Sequence, residues 1–322
     1  MKQAVIATVL FLVLFWFIQP EVKEMKLDGK NYIQVAETFP FPEAESPFVY
    51  RILTPGIASF LPFDIKTNFQ IVNLLFLLGF CLLLYQYTGT VLSIALFAIP
   101  YHTPLRLLFY YPALVDPFFY LAVMACLVML KKDVKVYWFV LLSFFAVLNR
   151  EVGIIIPIMV FIKNKSVTPI IGGFLAFALA RYLATPLGDY TFLSGMQKGL
   201  EMGGGQYLLA VFFAVTPLAV LADFKLERHE WVYLAFVLIM GLLGGGNTVR
   251  YLYWVAPVLI PSVVRGLEGR ELKYVYIVIT VILMNFFYAD WENWHYILTE
   301  FNPQQFLQII VITGLFLISR LK

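Results

Sequence analysis

The sequence predicts an all-α, polytopic transmembrane protein of about twelve membrane segments, several of them short. Three observations carry this prediction. Of 322 residues, 61% are hydrophobic and 13% charged, about half the charged share of a soluble domain. The hydrophobic residues gather in repeated runs of helical length, and backbone inside a bilayer must satisfy its own hydrogen bonds. The runs are continuous rather than alternating, which argues against a β-barrel. The chain reads as a single integral membrane domain over residues 1–322, with exterior loops at 20–68 and 185–206.

In chain order, the apolar runs fall at 4–19, 69–86, 90–101, 115–130, 136–148, 152–162, 168–184, 207–222, 231–244, 251–264, 274–288 and 306–319. The first, Ala4 to Ile18 after Lys2, resembles a signal peptide but has no small-x-small cleavage site before Pro20. It is therefore expected to be an uncleaved first span. The fifth and sixth runs need a decision, because Arg150 and Glu151 sit in the middle of the stretch from Val136 to Ile162. If the chain reverses there, Lys163, Lys165, Lys225, Arg228, Arg265, Arg270, Lys273, Arg320 and Lys322 fall on the cytoplasmic side, nine in all, against Arg181, Lys198 and Arg250 outside. One continuous span would invert that ratio, so the positive-inside rule favours a hairpin with its tip at Asn149-Arg150-Glu151 facing the exterior. Both termini are then cytoplasmic, and the expected location is a prokaryotic plasma membrane.

The hairpin arms have about 13 and 11 residues and reach only roughly 16–20 Å at 1.5 Å per residue. The hydrocarbon core is about 30 Å thick. Polar backbone at that depth requires surrounding protein or a water-filled cavity, so a cavity open to the exterior is expected. Arg51, Arg106, Arg150, Arg181 and Arg250 all lie on that side, next to or within apolar runs. An ionisable residue at membrane depth points to function. For Arg150 and Glu151 the alternative is a capped hairpin whose charges pair with others.

The longest non-spanning segment is 20–68. Its Asp28 to Glu37 reads as a short helix that Asp28 could cap. Phe48 to Leu61 reads as an amphipathic interfacial helix carrying Arg51 on its polar face. Pro40, Pro42 and Pro47 keep the two apart. "LDGKNY", then "SPFVYRILTP", with "NREVGIIIP" and "NTVRYLYWVAPVLIP" further on, resemble membrane glycosyltransferases of the GT-C fold, as found in uncharacterised bacterial and archaeal proteins. The resemblance covers most of the chain in topology and a few short motifs in sequence. It implies an inverting enzyme that moves a sugar from a polyprenyl-phosphate-linked donor to a glycan, lipid or protein acceptor on the exterior, beneath two short helices of the first loop. Many such enzymes carry paired acids in that loop, whereas here Asp28 stands alone. A single catalytic base is expected, and a divalent metal is not.

The residue types suit that chemistry. Asp28 is the expected base. Arg51, Arg150 and Arg250 are the expected donor-phosphate ligands, because the planar guanidinium binds phosphate oxygens two at a time. Tyr32, Asp116, Glu151 and Tyr251 are the expected sugar or acceptor contacts. Each has a plainer alternative. Arg250 with Tyr251, Tyr253 and Trp254 could be an interfacial aromatic belt with a snorkelling arginine. Asp116 could simply start a helix with Pro117 at its first position. Residues 188–206, rich in glycine, suggest a mobile acceptor gate, and Gly244 to Gly246 a hinge or turn.

Other classes are weaker. Cys81 and Cys126 lie inside apolar runs and suggest packing. His102, His229 and His295 form no metal motif. No basic cluster suggests nucleic acid. The sequon at Asn164 falls on the cytoplasmic side. A transporter or flippase would need polar residues through the midplane to both sides, and no inverted repeat is evident. A non-catalytic assembly subunit stays open because the acids are not paired.

Overall fold

The computed structural model describes residues 28–98, 112–188, 215–243 and 248–268, with Val5, Gln197 and Val211. The runs expected at 4–19, 274–288 and 306–319 lie outside the described residues. So do Arg106, Gly244 to Gly246 and most of the loop 185–206. What is described is mostly helical. Contacts group the chain into two compact units, the first holding Met1–Val91, Pro104–Ser194 and Glu227–Tyr233, the second Leu92–Thr103, Gly195–Leu226 and Leu234–Lys322.

The first unit opens with α1 (Gly29–Glu37), the two-residue strand β1 (Glu43–Ala44), a 3-10 turn (Phe48–Tyr50) and α2 (Leu53–Ser59). The expected helix Phe48–Leu61 is therefore two pieces. Its break falls at Arg51 and Ile52, where the Ile52 amide donates to the Leu148 carbonyl at 3.1 Å. Arg51 is not on an exposed polar face: it is 8% exposed.

Next comes α3 (Ile65–Thr88), among the described residues the one helix long and apolar enough to cross a membrane. Asp64 caps it by accepting from the Thr67 amide at 3.1 Å and from the Thr67 hydroxyl. These bonds, the hydroxyl's first, hold the Asp64 carboxyl below the usual range.

Three further helices follow: α5 (Asp116–Lys131), α6 (Val136–Asn149) and α7 (Ile155–Asn164), the last entered through a 3-10 turn at Glu151–Ile154. Pro117 sits in the first turn of α5, where a missing amide costs no helical bond. The reversal expected at Asn149-Arg150-Glu151 is present. Arg150 has extended backbone, and Gly153 folds back so tightly that a Cβ there would collide with the backbone of Ala146.

Helix α8 (Pro169–Leu183) then packs along α6. Its buried side is made of small residues, Gly172, Gly173, Ala176 and Ala180. Small side chains let helix backbones approach closely. A Cβ at Gly172 would fall on the carbonyl oxygen of Val140. Gly172→Ala should therefore destabilise the protein by about 1–3 kcal/mol, as overpacking does. The check is the thermal midpoint of the purified variant; an unchanged midpoint would mean that α6 and α8 do not touch there. After α8 the strand β2 (Thr185–Pro186) pairs in parallel with β1, Glu43 opposite Thr185 and Ala44 opposite Pro186. The first loop is thus tied to the end of α8.

Following the chain through these helices sorts the first unit's charges by end. At one end stand Lys131, whose ammonium donates to the Tyr87 carbonyl at 3.2 Å, and Lys163, which pairs with Glu227. There too His229 is 5% exposed, and Glu230 accepts from the Glu227 amide at 2.8 Å. Burial pushes the His229 imidazole down, and the Lys163 ammonium holds the Glu227 carboxyl down. At the other end lie α1, α2, the start of α5 and the α6–α7 reversal.

In the second unit, α4 (Leu92–Ala98), α9 (Thr216–Leu221), α11 (Thr248–Leu252), a 3-10 turn at Tyr253–Val255 and α12 (Ala256–Gly266) are described. The helix α10 (Arg228–Leu243) is divided between the units. The Asp223 amide donates to the Ser262 carbonyl at 2.9 Å, and the Ser262 hydroxyl donates back to the Asp223 carbonyl. This exchange holds the end of α9 against α12.

Candidate functional site

The reversal after α6 brings Arg51, Tyr32, Arg150, Asp116 and Glu151 of the first unit together. Arg51 donates through Nε to Glu151 Oε2 at 3.0 Å and through Nη1 to the Tyr32 hydroxyl at 2.6 Å. Phe48 backs this group: the Arg51 guanidinium carbon stands 5.3 Å from its ring centroid, and the Tyr32 ring meets it edge-on at 5.6 Å. Next in the chain, Arg150 Nη1 donates to Asp116 Oδ1 at 2.7 Å. The two ion pairs share one turn but differ in exposure. Arg150 and Asp116 side chains are 2% and 3% exposed, whereas Glu151 is 32% exposed beside Arg51 at 10%. Buried charges of this kind persist only when paired and hydrogen-bonded. The Arg51–Glu151 pair is the one a solute could reach.

Asn149, fully buried, holds the frame. Its Nδ2 donates to the Val115 carbonyl at 2.8 Å, and its Oδ1 accepts from the Thr54 hydroxyl at 2.5 Å. It thereby stitches α2, the start of α5 and the end of α6. Asn73 adds two bonds at 2.7 Å to the Pro112 and Leu114 carbonyls, satisfying the irregular chain that leads to Asp116. Sequence reasoning named Asn149 only as part of the hairpin tip and passed over Asn73. The signal was there in "LNRE", an amide inside an apolar run beside two charges.

Asp28 occupies the N-cap position of α1 and is half-buried, but its carboxyl makes no capping hydrogen bond. The capping alternative therefore does not hold. Asp28 stands four residues before Tyr32, a spacing that places both on one helix face. Tyr32 itself is fully buried, with its hydroxyl on Arg51.

Arg250 and Tyr251 lie in the second unit. Arg250 is 2% exposed, its Nη2 donates to the Tyr251 hydroxyl at 3.3 Å, and its guanidinium carbon stands 5.1 Å from that ring's centroid. Tyr251 meets Trp254 edge-on at 4.8 Å, and the Tyr253 hydroxyl donates to the Phe97 carbonyl at 3.2 Å. Tyr251, Tyr253 and Trp254 are all buried. They form a packed core around the turn into α12 rather than the outward-facing aromatic belt considered from the sequence.

Comparison with known proteins gives no matching family model, no matching curated protein and no matching solved structure.

Proposed function

We propose that the protein is a GT-C-like, polytopic membrane glycosyltransferase that moves a sugar from a polyprenyl-phosphate donor to an acceptor glycan, lipid or protein at the exterior face. One observation carries this reading. The first loop and the α6–α7 reversal, far apart in sequence, bring a carboxylate, an arginine, a tyrosine and a second carboxylate to one end of a helical bundle. Support for a bilayer setting comes from the outer side of α8, where Phe174, Leu175 and Ile171 are 68%, 57% and 55% exposed. Apolar patches of this kind suit lipid better than water. The twelve-segment topology with cytoplasmic termini rests on the charge asymmetry of the loops.

In this mechanism the Asp28 carboxylate takes the proton of the acceptor hydroxyl as its oxygen attacks the anomeric carbon. The bond from that carbon to the phosphate oxygen breaks with inversion, and the lipid phosphate departs with the electron pair. Arg51 meets the departing charge, trading or sharing its contact with the exposed Glu151, and preorganised cations stabilise such charge strongly. Arg150 and Asp116 hold the turn from beneath. Glu151 orients sugar or acceptor hydroxyls, and the buried Tyr32 hydroxyl holds Arg51 in place.

The test is transfer from a panel of polyprenyl-phosphate sugars by the purified protein in liposomes. Arg51→Gln should cut transfer roughly ten- to a hundredfold, the worth of a charge-assisted bond pair. Failure of the unaltered protein to transfer any sugar of the panel, or unimpaired transfer by a folded Arg51→Gln protein, would sink the reading.

A further inference from the structure

Arg181 lies in the last turn of α8 and is exposed. Its guanidinium carbon stands 4.5 Å from the Tyr50 ring centroid and 4.4 Å from that of Phe177. Among the described residues it has no carboxylate within ion-pair distance and no hydrogen-bond partner. Every other arginine discussed in the first unit's site is committed to an acid. Tyr50 directly precedes Arg51, and the β1–β2 pairing clamps the first loop to the chain just beyond Arg181, with the Thr185 amide donating to the Pro42 carbonyl at 2.8 Å. The chain neighbours of both arginines, Tyr50 and Ile52 on one side and Ala180 on the other, belong to a single apolar cluster with Val49 and Leu148. Arg181 is also a cation on the side of the bilayer where the loop-charge rule disfavours one.

We propose that Arg181 is a phosphate-binding residue flanking the Arg51 site, held ready by the Tyr50 and Phe177 rings. Stacking restrains a side chain that otherwise loses much rotamer freedom on binding. The planar fork, without an acid partner among the described residues, matches phosphate oxygens. The phosphate is that of a lipid: either the polyprenyl phosphate of the proposed reaction or a headgroup of the surrounding bilayer. This deepens the transferase reading by naming a second phosphate contact, yet it is tested by binding rather than by turnover. A cation in the last turn also complements the helix dipole. That role needs no aromatic cradle and is served equally by lysine.

The experiment measures affinity for undecaprenyl phosphate and for phosphatidic acid in phosphatidylcholine nanodiscs carrying the full chain. Arg181→Gln should weaken binding about tenfold, the value of one charge-assisted contact. Loss confined to undecaprenyl phosphate assigns Arg181 to the donor, and loss of both assigns it to lipid headgroup phosphate; each supports phosphate recognition. Phe177→Leu, at an exposed position, should cost about threefold through the lost cation–π contact. Wild-type affinity for both lipids in Arg181→Gln would overturn the proposal. So would a loss that Arg181→Lys restores in full while Phe177→Leu is silent. Weakened binding by Arg181→Gln in a protein that transfers no sugar would leave this proposal standing and remove the transferase reading alone.

Discussion

Asp28→Asn should abolish sugar transfer, lowering the rate roughly a hundredfold or more, the usual worth of a general base, while leaving lipid-phosphate binding intact. The substitution keeps the side chain's size and removes its charge and its ability to accept a proton. No capping bond is lost with it, because the Asp28 carboxyl makes none to the amides of α1. Thermal unfolding of the variant separates lost transfer in a folded protein from a lost fold. A carboxylate works as a base only when held against the hydroxyl it deprotonates, and the variant tests that role. Asp28 has no second acid one or two residues away to complete a metal pair, and Mg or Mn generally draws on several oxygen ligands. Two results would refute the mechanism: near-normal transfer by Asp28→Asn, or activity lost in chelator and recovered on adding Mn.

The second large effect is on stability. Asp116→Ala should cost about 3–5 kcal/mol, because it leaves a buried guanidinium without its anion. Arg150 Nη1 lies 2.7 Å from Asp116 Oδ1, and both side chains are almost fully enclosed. The mirror substitution Arg150→Ala should cost a similar amount by stranding the carboxylate. Replacing both at once, Asp116→Leu with Arg150→Met, should restore most of the loss, since an apolar pair of similar volume carries no desolvation penalty. Thermal or denaturant unfolding of the four proteins compares each stranded charge with the apolar pair. If the single variants match the unaltered protein, the pair is not holding the reversal together.

Much of the bundle was legible in the sequence because burial of apolar side chains leaves a periodic trace. The hydropathy runs place α3, α5, α6 and α8 within a few residues of their ends. The reversal between α6 and α7 was legible for a different reason: it follows from counting lysines and arginines in loops, not from the chain at the turn. The site was only half legible. Arg51, Arg150, Asp116, Glu151 and Tyr32 were singled out one by one, but their pairing was not. Arg51 meets Glu151 across 100 residues and Arg150 meets Asp116 across 34. Local pattern carries no information at such range. For the same reason Arg51 was expected on an outward polar face: "FVYRIL" has the period of an interfacial helix, and only the distant Glu151 and Leu148 draw it inward and break that helix. Likewise "RYLYWV" has the composition of a membrane belt, and nothing local distinguishes that from a packed turn.

The extended backbone of Arg150 has a consequence of its own. Successive side chains on extended chain point to opposite sides, so at this one step the arginine faces inward to Asp116 and the glutamate outward to Arg51. The arrangement acts as a parity check on the chain. Slipping it by one residue one way would set Glu151 against Asp116 and leave Arg51 facing Val152; slipping it the other way would set Arg150 against Arg51 and leave Asp116 facing Asn149, so either slip loses both ion pairs and makes one like-charged contact. Loops usually absorb insertions and deletions with little penalty, but this tip admits neither, and its length is as constrained as any buried side chain.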